Sequence, residues 1–66
     1  MHVTINAKAH DIAAGSTVAV LIEHLALQNK RLAIEVNKEL VPRSLFSHHQ
    51  LNENDNIEIV QAIGGG

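Results

Sequence analysis

Residues 56–63 read Asn56-Ile57-Glu58-Ile59-Val60-Gln61-Ala62-Ile63 and form the most strand-like stretch of the chain, and Gly64-Gly65-Gly66 follows directly. Alternation along this stretch predicts a β-strand that points Ile57 and Ile59 inward. Glycine has no Cβ, so the last three residues predict a flexible tail, thin enough to thread a narrow channel. Three residues can reach about 10 Å beyond a folded body. The tail alone is equally consistent with a frayed chain end.

The composition indicates one small domain with an aliphatic core. The chain has 66 residues, of which 45% are hydrophobic, and Phe46 is its only aromatic residue. A domain of this size buries only ~60% of the surface of its unfolded chain, which leaves little room for a deep pocket. Cysteine is absent, so neither a disulfide nor a thiolate metal site can hold the fold together. A self-contained enzyme is therefore not expected.

The charge pattern argues against nucleic acid and membranes as partners. The net charge is −2 with histidine neutral, and the five Lys and Arg residues are scattered. Nucleic-acid binding favours a basic face, and a membrane span needs an apolar run of ~20 residues; neither pattern is present. Met1 leads straight into an alternating pattern rather than into a signal peptide. We therefore expect a cytoplasmic protein.

The first half of the chain predicts a hairpin followed by one helix. Residues 2–6 alternate between polar and apolar, and residues 10–13 form a weaker second strand with Ile12 inward. Ser16 or Thr17 can cap the helix that follows, and its end is expected near residues 28–29. One apolar stripe at helical spacing should cover the sheet, and its members are Val18, Leu21, Ile22 and Leu25.

The second half predicts more strands around a short irregular segment. Residues 32–37 alternate, and residues 40–41 form a short strand. Residues 44–51 predict a helical turn with Leu45 and Phe46 as buried anchors. A polar turn then leads into the last strand.

Together these elements predict an α+β domain, with a mixed sheet of four to five strands and one main helix packed on one face. The last strand needs a neighbour, and the open side of the first strand is available. That pairing is parallel, and its crossover is right-handed. The arrangement is the β-grasp of ubiquitin-like proteins. We expect residues 1–63 to form the β-grasp domain and residues 64–66 to form the flexible tail.

Few side chains outside the tail point to chemistry. The five histidines match no metal-ligand spacing and predict surface positions, and Asp55 is expected to be solvated. Arg43 could bind a carboxylate or a phosphate, although a surface arginine that covers the core with its stem is commoner. Glu58, Val60 and Ala62 should point outward just before the tail. They predict a docking surface for a partner that grips the tail.

Three stretches of the chain resemble the ThiS family, the small sulfur carriers of thiamine biosynthesis. They are residues 14–18 (Ala-Gly-Ser-Thr-Val), residues 37–43 (Asn-Lys-Glu-Leu-Val-Pro-Arg) and the glycine end. The resemblance spans the whole chain, and the second stretch together with a terminal Gly-Gly is fairly specific. The sequence departs from the family at Asn54-Asp55, where Gly-Asp is frequent, and asparagine tolerates the same positive φ. The third glycine is a second departure and lengthens the tail by one residue.

The resemblance implies a β-grasp carrier that is not itself an enzyme. A ubiquitin-activating-like adenylyltransferase would use ATP and a metal ion to adenylate the carboxylate of Gly66, with Gly64 and Gly65 threading into its active site. Sulfur from a persulfide enzyme would displace AMP, and the resulting thiocarboxylate would donate sulfur to thiazole synthase. This chain would bind no cofactor of its own. The lack of cysteine agrees, because the sulfur must then sit on a carboxylate.

Two alternatives stay open. The small subunit of molybdopterin synthase is also a β-grasp carrier that ends in Gly-Gly, although such chains are usually longer and richer in aromatic residues. The second alternative is a non-catalytic β-grasp binding module with an inert tail. Incubation with the activating enzyme and ATP separates that module from a carrier, because an inert tail forms no adenylate.

Overall fold

The computed structural model describes residues 1–61, in which a five-stranded sheet carries one α-helix. The elements follow one another as β1 (His2–Ile5), β2 (Lys8–Asp11), α1 (Val18–His24), β3 (Leu32–Val36), β4 (Glu39–Val41), a 3₁₀ turn (Arg43–Leu45) and β5 (Asn56–Gln61). The tail and the last two residues of the predicted strand, residues 62–66, lie outside the described part of the chain.

The last strand lies in the middle of the sheet. The strand order is β2-β1-β5-β3-β4. β5 runs parallel to β1, with Ile57 opposite Ile5, and antiparallel to β3, with Ile57 opposite Val36. β1 with β2 and β3 with β4 form the two antiparallel hairpins. The predicted parallel pairing of the first and last strands is confirmed, and with it the β-grasp topology.

The core lies between α1 and one face of the sheet. The helix contributes the predicted stripe, although Leu25 is only partly buried. Ile34 of β3 and Ile57 of β5 are both 0% exposed. These two strands pair with each other in the sheet. The buried apolar residues are Val3, Ile5, Ile12, Val18, Leu21, Ile22, Ile34, Val36, Val41, Leu51 and Ile57.

Two-residue turns close both hairpins with left-handed backbone. Asn6 and Ala7 have φ values of 50° and 68°, and Asn37 and Lys38 have 53° and 70°. Positive φ at both turn residues is the type I′ pattern, whose twist matches that of the strands it joins. The first turn places β2 at Lys8–Asp11, so the predicted second strand over residues 10–13 is two residues too late.

The helix is shorter than predicted because a C-cap motif stops it. Thr17 caps its start by accepting a hydrogen bond from the Val20 N–H, at 3.3 Å. At the end, Leu27 N–H donates to the Ile22 carbonyl and Ala26 N–H to the Glu23 carbonyl, both at 2.9 Å. These two bonds, with Ala26 at φ 57°, form a Schellman motif. The expected end near residues 28–29 is therefore wrong.

The segment after β4 buries a different leucine from the one predicted. Leu45 is 47% exposed, Phe46 is partly buried against the core, and Leu51 is only 2% exposed. The Leu51 N–H donates to the Ser16 carbonyl at 2.8 Å, which ties this segment to the start of the helix. The prediction of Leu45 as a buried anchor is thus wrong, and the prediction for Phe46 holds in part.

Candidate functional site

β5 separates the core from a face of the sheet that no other element of residues 1–61 covers. On the helix side of this strand, Ile57 is buried and Ile59 is half-buried. On the other side, which we call the open face, Glu58 is exposed and Val60 is 63% exposed. Two of the three predicted docking residues, Glu58 and Val60, therefore lie where the sequence placed them. Ala62 lies outside the described residues.

The strand register shows which residues surround Glu58 and Val60. Val60 lies opposite Ala33, and Glu58 lies opposite Glu35. Glu35 is also opposite Leu40 of β4, whose side chain is 66% exposed. The open face thus combines two exposed large apolar side chains with two carboxylates on adjacent strands.

The Glu35–Glu58 pair does not help folding. Like charges directly opposite each other on neighbouring strands are destabilising, because their Cβ atoms are only ~5 Å apart. Exposed aliphatic groups such as Val60 and Leu40 likewise gain nothing from the hydrophobic effect in the isolated chain. Neither feature therefore explains the stability of the isolated fold.

Side-chain amides hold β5 in place as it approaches the tail. The Asn6 amide donates to the Ile59 carbonyl at 3.2 Å and accepts from the Ile59 N–H at 2.8 Å. Asn37 accepts from the Asn56 N–H at 2.9 Å. Both asparagines occupy the hairpin turns, so each turn clamps the central strand. The strand that leads to the tail has a rigid base.

Asp55 anchors the start of the same strand. Its side chain is 7% exposed, accepts from the Asn37 amide at 3.0 Å and accepts from the Asn52 N–H at 2.8 Å. The prediction that Asp55 is solvated is therefore wrong. A buried carboxylate persists when hydrogen bonds compensate for lost hydration, and Asp55 has them. Its role is structural.

An open cleft of about 430 Å³ lies beside the end of β5. It is lined by Arg31, Leu32, Ala33, Arg43 and Val60, and we call it the tail-root cleft. The Arg43 guanidinium donates from Nη2 to the Lys30 carbonyl at 3.2 Å. That bond holds the segment before β3 against the segment after β4. No sequence pattern predicts that Arg31 and Arg43 line the same cleft.

The histidines remain at the surface. His2 contacts Glu53, with 3.2 Å between Nδ1 and Oε2, and its backbone N–H donates to the same carboxylate. Within residues 1–61, no group of three or more His, Asp or Glu side chains is placed to hold a metal ion. No helix in that part of the chain is both long enough and apolar enough to cross a membrane.

The topology, the single covering helix and the central last strand define a ubiquitin-like β-grasp protein. Residues 3–66 match the ThiS family, and the chain belongs to that family. The sulfur carrier protein ThiS of Escherichia coli K12 is 35% identical over 66 residues, which is 100% of both chains. The crystal structure of the thiamine biosynthesis protein ThiS from Geobacter metallireducens has a TM-score of 0.86 at 28% identity and covers both chains in full.

Some relatives are much longer than this chain. A thiazole synthase from Paramagnetospirillum magneticum is 36% identical over all 66 residues of this chain, which span 20% of that protein. A thiazole synthase from Magnetococcus marinus gives the same identity and the same share. The chain thus spans about a fifth of the length of these two relatives. The relative from Escherichia coli, which matches over its full length, is instead named a sulfur carrier protein.

Proposed function

We propose that this chain is the sulfur carrier of thiamine biosynthesis and that it carries sulfur as a thiocarboxylate on Gly66. One observation carries the proposal: the clamped central strand β5 ends three residues before Gly64-Gly65-Gly66, a run of residues without side chains. Membership of the ThiS family and a full-length relative named as a sulfur carrier support it.

The chemistry begins at the α-carboxylate of Gly66. One carboxylate oxygen attacks the α-phosphorus of ATP, pyrophosphate leaves, and the oxygen becomes part of an acyl adenylate. The terminal sulfur of a persulfide then attacks the acyl carbon, and AMP leaves with that oxygen. This attack leaves the acyl group joined to the donor enzyme as an acyl disulfide. A thiol of the donor enzyme reduces that acyl disulfide and is itself oxidised to a disulfide. The thiocarboxylate remains on Gly66.

The chain supplies position and reach, and its partners supply the catalytic groups. A ubiquitin-activating-like adenylyltransferase binds ATP and the metal ion, and a persulfide enzyme donates the sulfur. Holding the reacting groups together accounts for much of the rate in such transfers. Thiazole synthase is the proposed acceptor, and the two relatives that join a similar segment to a thiazole synthase in one chain support this choice.

The open face is the proposed docking surface for these partners. Glu58 and Val60 present a charged and an apolar contact on the strand that leads to the tail. Ala62 continues the same alternation in the sequence. Gly64 and Gly65 would pass through the partner's channel, where any Cβ widens the thread.

Mass spectrometry tests this proposal directly. The chain is incubated with the adenylating enzyme, ATP, magnesium and a persulfide donor. We expect wild type to gain the mass difference of one sulfur for one oxygen on Gly66. Deletion of Gly66 should abolish that gain, and Gly65→Val should slow it, because a β-branched residue stiffens and widens the tail. Gly64→Ala is the matched control, with a smaller expected effect.

Each variant must also be shown to fold. Within residues 1–61 the last fully buried core residue is Ile57, well before the substituted glycines, so thermal unfolding should be the same in all of the variants. Modification of the Gly66 deletion at the wild-type rate would contradict the proposal. The absence of any adenylate on wild type would favour an inert binding module instead.

A further inference from the structure

We propose that the tail-root cleft, between Arg31 and Arg43, docks a carboxylate-bearing segment of thiazole synthase. The inference rests on the proposed function, because it names the surface by which one partner of the tail is recognised. It concerns the end of the sheet nearest the tail, beyond the Glu35–Glu58 pair.

The cleft lies where a partner of the tail must pass. Val60 lines the cleft, and Leu32, which also lines it, pairs with Gln61 at the end of β5. Gly64 follows Gln61 by three residues in the sequence, so an enzyme that holds the tail comes close to this surface.

The charge of the cleft is opposite to the net charge of the chain. The whole chain carries −2 and has only five Lys and Arg residues. Two of these line the cleft, and the main chain of a third, Lys30, is bonded to Arg43. Lys38 lies in the turn after β3, at the opposite end of that strand. Two of the five basic side chains, those of Arg31 and Arg43, thus line one cleft beside the end of β5.

The lining favours a protein segment over a small anion. Apart from the two arginines, the cleft is lined by the apolar residues Leu32, Ala33 and Val60. A phosphate ion would leave that apolar lining in contact with water, whereas an apolar side chain next to an acidic residue covers it. Guanidinium groups match carboxylates with two parallel hydrogen bonds. Each guanidinium carries five N–H donors, so the Arg43 bond to the Lys30 carbonyl leaves donors for a partner.

The first test is binding to the thiazole synthase of the organism that makes this chain, measured by calorimetry at several salt concentrations. We expect Arg31→Gln with Arg43→Gln to weaken binding about tenfold or more and to flatten its salt dependence, as for the loss of charge pairs in an interface. Arg43→Lys should recover part of the affinity, because it keeps the charge without the planar fork. Lys38→Gln removes one positive charge elsewhere and should leave binding within about twofold of wild type.

A second pair of variants separates charge from size and leaves both arginines in place. Ala33 is exposed on the open face, so its replacement does not disturb the core. Ala33→Glu places a carboxylate in the cleft that the arginines line, where it competes with the partner. Ala33→Gln has the same size without the charge. We expect Ala33→Glu to weaken binding several-fold more than Ala33→Gln.

Three outcomes would overturn the docking cleft. They are equal binding by the two Ala33 variants, binding by the double arginine variant within about twofold of wild type, and no binding of wild type to the synthase. Sulfuration of wild type is measured in parallel. If wild type acquires sulfur but its binding ignores the arginines, the cleft proposal alone fails. If wild type acquires no sulfur, the proposed function fails.

Discussion

The two faces of β5 show how one strand serves two purposes. Towards the helix, Ile57 is 0% exposed and is paired with apolar residues of both neighbouring strands. Towards the open side, one residue further on, Glu58 lies opposite another glutamate, and Val60 is 63% exposed. The backbone hydrogen bonds of the strand serve both faces equally. Only the side chains distinguish them.

The difference shows where selection for folding stops. A small domain depends on each buried aliphatic group, because its total stability is only a few kcal/mol. The helix side follows that requirement closely. The open face departs from that requirement in two ways. It carries a like-charge pair, and it exposes a valine and a leucine. Both features lie on the face that we propose as the docking surface for partners.

Substitutions on the same strand should give the largest contrast. Ile57→Ala removes a fully buried side chain and should cost about 2–5 kcal/mol in the free energy of unfolding. That loss leaves a domain of this size largely unfolded at 25 °C. Val60→Ala removes an exposed side chain and should change stability by less than about 0.5 kcal/mol. Urea unfolding followed by circular dichroism measures both values.

A measurement of binding to thiazole synthase completes the comparison between the two faces of β5. Val60→Ala should weaken the complex with thiazole synthase although its fold is intact. A loss of stability in Val60→Ala close to that of Ile57→Ala would mean that the open face is covered in solution. That result would contradict the separation of the two faces.

Alternation in the sequence was enough to predict the two faces. Ile34 and Ile57 stand in strands with clear period two, and the helix stripe has clear helical spacing. Such patterns report burial because side chains alternate between two faces along a strand and return to the same face every three or four residues along a helix. The parallel pairing of the first and last strands followed from the need to satisfy both strands, and the structure confirms it.

The errors arose where burial depends on distant residues. Leu51 is a single apolar residue among polar ones, and it is buried because its segment returns to Ser16 at the helix start. Asp55 reads as a solvated turn residue, and it is buried because Asn37 lies 18 positions earlier in the chain but adjacent in space. The tail-root cleft was missed for the same reason, since Arg31 and Arg43 meet only after β3 and β4 have paired.

A smaller effect of opposite sign is expected from the open face. Glu58→Gln removes the repulsion from Glu35 across the strand pair and should raise the free energy of unfolding by about 0.2–1 kcal/mol. Glu39→Gln is the matched control, because Glu39 is exposed at the start of β4 and lies opposite Val36. Urea unfolding at two salt concentrations should show the gain shrinking as salt screens the pair. A destabilised Glu58→Gln would contradict this view of the open face.

The smallest expected effect lies at the far edge of the sheet, at Asp11 of β2. The Met1 ammonium group donates a hydrogen bond to the Asp11 carboxylate at 3.1 Å. This bond, the attraction of the same ammonium charge and the nearby His2 together lower the pKa of Asp11 below its usual 3.8. A carboxylate with a lowered folded-state pKa stabilises the fold above its unfolded pKa, and this contribution is lost as the pH falls through the folded value. Protonation of Asp11 should therefore lower the stability of the fold slightly below pH 3.8. Because Asp11 is 75% exposed, solvent screens the pair and the effect is small.

Thermal unfolding of wild type and of Asp11→Asn between neutral and acidic pH measures this effect, with Glu39→Gln as the control for one lost carboxylate. The two curves should differ at neutral pH and converge below pH 3.8; curves that stay parallel throughout would show that the Met1–Asp11 contact contributes nothing in solution.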